Sequence, residues 1–293
     1  MGGNSSERKI SLKTGNQVLS SFQKKNYNVK KFIIGKNLKK FVRDIIEFSP
    51  NIVFNALHGK FGEDGQVQSI LNTLKIPYTH SGAFTSSIAM NKYFSKIIFS
   101  NFGIPCPKGI IIEKNTKFTL KIPFPLVLKP IDGGSSIDVL LIKNNKELVS
   151  KLNDFFSTNK IGMLEEFIPG REITVGVLDN KILGSIEIIS NESFYNYKSK
   201  YISVAKHVLS PKLPNHIKKK LGEYTLTAHK SIGCNYLSRA DFKYNEKENQ
   251  VYLLEINTQP GLTKNSLLPE MAADIGINFD ELCSKIVENA RCE

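Results

Sequence analysis

Tryptophan is absent from this chain of 293 residues, and cysteine occurs only four times. Cys106, Cys234, Cys283 and Cys292 form neither a CxxC pair nor a dense array. That excludes a disulfide-built scaffold and suggests no zinc site; a reducing cytoplasm is the expected compartment. No apolar run is long enough to span a bilayer and no hydrophobic signal core follows Met1, so no membrane association is expected. The opening Met1–Ser6 formally fits an N-myristoylation pattern, but a Gly-rich turn accounts for the same residues. A Walker A sequence, GxxxxGK[ST], is missing. Arginine is scarce as well, occurring only at positions 8, 43, 171, 239 and 291, so the formal charge of +13 is carried almost wholly by lysine. Abundant Lys, Asn and Ile point to A+T-biased coding. The runs Lys39-Lys40 and Lys218-Lys219-Lys220 have no interleaved aromatic platform, so no nucleic-acid partner is expected.

What remains is ordinary for a globular protein: 41% hydrophobic and 23% charged residues, in a chain long enough for two or three domains. Its most informative stretch is Tyr236–Ser266. Leu237–Phe242 and Val251–Ile256 alternate in type and flank the polar Asn245–Asn249, which predicts a hairpin. Side chains two apart on a strand share a face. Arg239 and Asp241 therefore face one way on the first strand, as do Glu255 and Asn257 on the second. Ala240, Phe242, Tyr252, Leu254 and Ile256 are expected on the opposite, apolar side. Carboxylates with an amide oxygen are hard ligands suited to Mg²⁺ held together with phosphates, and an adjacent Arg suits a transferring phosphoryl group. The bland alternative is a solvated strand face with ordinary charge pairs.

The rest of the chain reads as alternating helices and short strands. Ser5 or Ser6 is expected to cap a first helix, with Glu7 in its first turn. Val29–Ile34 and Asn51–Leu57 suit buried parallel strands around a Phe41–Phe48 helix. The loop His58–Gly65 then lies at a strand's C-terminal end, where ligands bind in open α/β sheets; His58 reads equally as ligand contact or structural histidine. Ser86–Asn101 predicts one helix with Lys92 on its polar side. Leu126–Pro130 is a strand carrying Lys129, followed by the loop Ile131–Ser136, whose glycines and serines suit phosphate oxygens; a plain turn is the default for GGSS alone. Gly162–Gly170 reads as strand then turn, further strands are expected over Glu172–Val177 and Ile182–Ile189, and helices over Ile217–Ile232, Pro269–Ile275 and Asn278–Ala290. Phe194–Tyr201 reads as either a lid over a charged ligand or a surface loop.

Taken in order, GGNSSERKIS, ALHGKFGEDG, YTHSGAFTSSIAMNK, VLKPIDGGSS, YNYKSKY, RADF and LLEINTQPGLTKNSLLP resemble the D-alanine–D-alanine ligase family of the ATP-grasp superfamily, over essentially the whole chain. The resemblance implies an α/β ATP-grasp fold of three domains, at 1–85, 86–172 and 173–293. The first is a parallel-sheet domain and the other two are α+β domains clasping ATP. It also implies joining of two D-alanines through an acyl phosphate for peptidoglycan synthesis; the family is commonly dimeric, so a homodimer is among the expectations. By motif, Asp241, Glu255 and Asn257 would hold two Mg²⁺ or Mn²⁺ ions, while Arg239 and the Gly261 N–H would stabilise the oxyanion. Glu7 would receive the first ammonium with His58 nearby, and Ser135 and Tyr201 would complete a network with Glu7. Ser266 and Leu267 would contact the second substrate. Lys92, Lys129 and Lys200 would meet phosphates. Glu165 and Glu172 would hold adenine and ribose, with Glu166, Phe167 and Ile168 lining the adenine pocket.

The chain departs from the family pattern in three places. A strand normally precedes the GG turn, which predicts a weakened N-terminal domain or a misassigned start codon. Asp138 stands where a glycine is common, and would restrict the loop or repel phosphate if turned inward. Lys9 replaces a usual glutamate at a position expected to be exposed. The first and second departures motivate one rival, a nucleotide-binding remnant without catalysis; another rival is a related carboxylate–amine ligase.

Overall fold

The computed structural model describes residues 1–134, 137–190 and 205–293. Ser135, Lys200 and Tyr201, and with them the expected lid, lie outside these residues. The N-terminal region consists of α1 (Arg8–Lys24), α2 (Leu38–Phe48), α3 (Gln66–Thr73) and α4 (Ala83–Met90), joined by extended segments. Neither Val29–Ile34 nor Asn51–Leu57 becomes a strand. Among the described residues, parallel pairing is confined to two bridges, Gly2 with Ile34 and Val53 with Tyr78. The reason is visible in burial: Lys30, Lys31 and Ile33 face solvent, and Ile34 alone of that run is buried. The run borders an apolar groove shared with Met1, Val18, Phe22, Phe41 and Ile45. The Met1 ammonium donates to the Phe32 carbonyl at 3.0 Å.

The single helix expected over Ser86–Asn101 is two. Asn91 interrupts it with extended backbone, and its side chain accepts from the Phe94 N–H at 3.1 Å, capping α5 (Lys92–Asn101). Lys92 consequently opens a helix and is buried, rather than lying on a polar face. Its backbone N–H donates to Ile131 at 3.0 Å, which ties α5 to the glycine–serine loop.

Beyond α5 lie two antiparallel sheets. The first has the order β1-β4-β2-β3, from β1 (Gly109–Glu113), β2 (Leu126–Pro130), β3 (Leu140–Ile142) and β4 (Ile161–Glu166), backed by α6 (Asn145–Thr158). The second has the order β7-β6-β5-β8-β9, from β5 (Arg171–Leu178), β6 (Lys181–Ile189), β7 (Lys206–Leu209), β8 (Leu237–Asn245) and β9 (Gln250–Asn257). Helix α7 (Asn215–Ser231) covers one part of this sheet, burying Ile217, Leu221 and Ala228 against Ile173, Ala240 and Phe242. Helices α8 (Leu267–Asp274) and α9 (Phe279–Glu288) join α1 in a second core with Leu183 and Ile186. Asn278 caps α9 as expected, accepting from Glu281 N–H at 2.9 Å.

The two sheets are joined by the short segment Phe167–Gly170. Gly170 has φ +119°, and a Cβ there would stand 2.0 Å from the Tyr244 carbonyl oxygen. Gly170→Ala is expected to cost about 3 kcal/mol or more, because backbone must move on both sides of the contact. Denaturant unfolding measures it, and a loss under about 1 kcal/mol would show that the joint is not tightly held.

Candidate active site

The predicted hairpin forms, with Arg239 opposite Asn257 and Asp241 opposite Glu255. Its register contains an irregularity that alternation did not foresee. Phe242 pairs with Leu253 while Asp241 pairs with Glu255, so Leu254 is an extra residue on β9. The core side of β9 is accordingly Val251, Leu253 and Ile256. Tyr252 is only partly buried and Leu254 lines the cavity between the sheets, which corrects their expected apolar placement.

Asp241 is held from three strands. Arg239 donates to it through Nε at 2.8 Å and Nη2 at 2.7 Å. Thr174, directly across on β5, donates from Oγ1 at 2.6 Å, and Asn257 donates from Nδ2 at 3.2 Å. Glu255 faces Lys92, whose Nζ lies 3.1 Å away and also donates to the Gly133 carbonyl. Among the described residues, no three His, Cys, Asp or Glu side chains converge as a metal cage. Two carboxylates and an amide leave about half of an octahedral shell to other oxygens, which fits Mg²⁺ shared with phosphates rather than a self-sufficient protein site.

The cavity is walled by both sheets and their joint. Lys129, Glu165 and Glu166 come from the first sheet, Phe167 and Ile168 from the joint, and Glu172, Arg239, Asp241 and Glu255 from the second; Lys92 and Leu267 complete it. Lys129 and Glu165 sit diagonally on adjacent strands, because Val127 is opposite Glu165 and Lys129 opposite Met163. Their charged atoms are 2.6 Å apart, and Lys96 binds the other Glu165 oxygen. Burial alone would push the Glu165 carboxyl up, but Lys129 and Lys96 outweigh it and hold it below its usual range. Burial lowers Lys129 despite the attraction of Glu165.

A second group of predicted residues borders this cavity. Glu7 is buried as the N-cap residue of α1, not within its first turn, and Ser5 does not cap. Instead the Ser5 hydroxyl donates to the His58 carbonyl at 2.6 Å and accepts from the Glu7 N–H at 3.3 Å. A Cβ at Gly59 would stand 2.7 Å from Glu7 Oε2, and one at Gly134 would stand 3.1 Å from it. Both loops thus approach the carboxylate through glycine. His58 is held between Thr14 at 3.1 Å and Glu63 at 2.8 Å. Gln259, in the turn after β9, accepts from Asn55 at 2.8 Å and donates to the Leu57 carbonyl, which locks that turn to the His58 loop. Gly261 and Ser266 lie together: a Cβ on Gly261 would be 3.2 Å from Ser266 Oγ.

Asp138 has φ +57°, a conformation glycine adopts without strain. Its carboxylate accepts from Asn159 at 3.0 Å, so it is engaged at the end of α6 and not aimed at the loop. Lys9 is exposed, as expected. Residues that alternation could have found are Lys243, which shares parity with Arg239 and Asp241 and pairs with Glu172 at 3.0 Å, and Thr174, which shares parity with Glu172. Nothing local in the sequence marked Lys96 or Glu63.

Comparison with known proteins agrees with this architecture. The family model for "D-ala D-ala ligase C-terminus" matches residues 98–288, and that for "D-ala D-ala ligase N-terminus" matches 39–81. D-alanine–D-alanine ligase of Pelagibacter ubique is 45% identical, over 99% of this chain and 96% of its own. The Paramagnetospirillum magneticum enzyme of the same name is 40% identical, over 100% and 97% respectively. The crystal structure of Bacillus anthracis D-alanine–D-alanine ligase complexed with ATP superposes with a TM-score of 0.85 at 31% identity, covering 99% of this chain and 94% of that one. The α/β ATP-grasp architecture expected from the motifs is thus the one observed, and the chain belongs to the D-alanine–D-alanine ligase family.

Proposed function

We propose that the protein joins two D-alanines to D-alanyl-D-alanine at the expense of ATP, for peptidoglycan synthesis. The observation that carries this reading is the convergence of Arg239, Asp241, Glu255 and Lys92 on one cavity with Lys129, Glu165 and Glu172. Chemically, a bare carboxylate is a poor electrophile. Transfer of the γ-phosphoryl group to the first D-alanine carboxylate gives an acyl phosphate and ADP. The second D-alanine's amine then attacks the carbonyl, and the tetrahedral intermediate expels phosphate.

In this mechanism Lys92, Lys129 and Lys200 bind nucleotide phosphates. Glu165 and Glu172 hold adenine and ribose against Glu166, Phe167 and Ile168. Two Mg²⁺ or Mn²⁺ ions would be held by Asp241, Glu255 and Asn257 and would, when bound, neutralise charge between the nucleotide phosphates. Arg239 and the Gly261 N–H stabilise the oxyanion and the transferring group. Glu7 receives the first ammonium beside His58, Ser135 and Tyr201 orient the second amine, and Ser266 and Leu267 meet its carboxylate. The three-domain division at 85 and 172, a cytoplasmic location and a homodimer complete the reading, on the support of the family pattern.

The test is phosphate release from ATP. The proposal requires it to depend on D-alanine, with the dipeptide as product; tight nucleotide binding without D-alanine-dependent turnover would instead identify a remnant. The Glu7 assignment has its own check. Gly59 has φ +70° and touches Glu7, so Gly59→Ala is expected to raise KM for the first D-alanine about tenfold, leaving KM for ATP unchanged. An equal rise in both would remove Glu7 from the amino-acid site.

A further inference from the structure

Lys96 stands behind the cavity wall rather than in it. It projects from the buried side of α5, is 5% exposed, and reaches the Glu165 Oε2 atom that Lys129 leaves free. Glu165 is itself 2% exposed. Two cations therefore clamp one carboxylate, each on its own oxygen, and this fixes both the charge and the plane of the group. With Lys129 alone the carboxylate could turn about its last bond; with both oxygens held it cannot do so without abandoning a buried cation.

An ionised carboxylate accepts hydrogen bonds and cannot donate them, whereas Lys129 beside it only donates. Side by side on the cavity wall, the pair matches a purine edge that carries an amino group next to a ring nitrogen; of the three Lys129 N–H donors one is on Glu165, leaving one for that nitrogen and one for phosphate. A 6-oxo purine would place its carbonyl oxygen against Glu165, where two acceptors oppose each other. Leaving such buried groups mismatched is the strongest form of discrimination available to a binding site.

We propose that Lys96 is a positioning residue for nucleobase choice: by clamping Glu165 from behind, it makes the pocket select 6-amino over 6-oxo purine nucleotides. This rests on the ATP reading above, and Lys96 itself touches no substrate. The experiment compares ATP with ITP in the full-length protein, as kcat/KM and as competitive displacement of a fluorescent ATP analogue. Lys96→Met is expected to narrow the ATP-over-ITP preference at least tenfold, mainly through KM for ATP, while kcat at saturating ATP changes less than threefold. Lys96→Arg is expected to restore most of the preference; Lys96→Gln replaces Lys96→Met if circular dichroism shows the latter unfolded. A preference unchanged in a folded neutral variant, or ATP and ITP weakened equally, overturns the proposal. Wild-type protein that displaces no analogue with ATP would overturn the ATP reading instead, so the two failures are distinct.

Discussion

Replacing Glu255 with glutamine is expected to lower kcat/KM for dipeptide formation on the order of 10²- to 10³-fold while leaving the fold intact. Glutamine preserves shape and one oxygen but removes the charge opposite Asp241. Glu255 is partly exposed but its partner Lys92 is buried, so urea unfolding of the variant is measured alongside, and the expected loss is that of the folded protein. Asp241→Asn is expected to do the same and additionally to free Arg239 from its two-pronged contact. The competing account makes Glu255 only Lys92's partner on a solvated strand. It predicts that folded Glu255→Gln protein keeps turnover within about threefold of wild type, because the pair then takes no part in the chemistry. Steady-state kinetics at varied Mg²⁺ separates the two. The functional account also requires that excess metal recover part of the activity of the variant.

The second large effect concerns acid stability. His80 is buried against Phe54 with neither ring nitrogen in hydrogen-bond geometry to a partner, and burial pushes it down from 6.5 to about 3. Folded protein thus keeps this ring neutral where the unfolded chain protonates it. The contribution is therefore fully retained above pH 6.5 and is progressively lost as pH falls toward 3, because the unfolded state binds the extra proton. At pH 4.5, two units below the unfolded value, the loss is about 2.7 kcal/mol. His80 also has φ +74°, which Asn tolerates well. His80→Asn is accordingly expected to flatten the stability profile between pH 7 and 4.5 by roughly that amount, once its offset at pH 7 is subtracted. Parallel urea titrations of both proteins decide it; identical slopes would mean that the ring protonates without penalty. His229, lowered by burial to about 4, contributes equally to both curves.

How much of this was legible before the fold was known differs by kind of interaction. Alternation alone brought Arg239, Asp241, Glu255 and Asn257 to one face, because strand parity is a local property of the backbone. It failed at Leu254, since a bulge depends on the partner strand. Short apolar runs such as Val29–Ile34 had strand composition but no neighbour to complete a ladder, and pairing is not encoded within the run. The clamp on Glu165 joins Lys96 to a residue 69 positions away, so nothing in either neighbourhood announces it. Roles assigned by motif, as for Glu7 and Ser266, came from resemblance; the structure adds that glycines bring two loops against one and that Gly261 lies against the other.

Leu254 has a consequence for how this protein tolerates change in length. As the unpaired member of its strand, it supplies an apolar wall to the cavity without setting the orientation of its neighbours. Excising it would convert an irregular ladder into a regular one, with Glu255 still across from Asp241 and Leu253 still across from Phe242. Losing the paired Ile256 would instead turn that end of the strand over and send Asn257 to the wrong face. The hairpin thus has one dispensable rung, and shortening there would widen the nucleotide chamber while sparing the acidic pair.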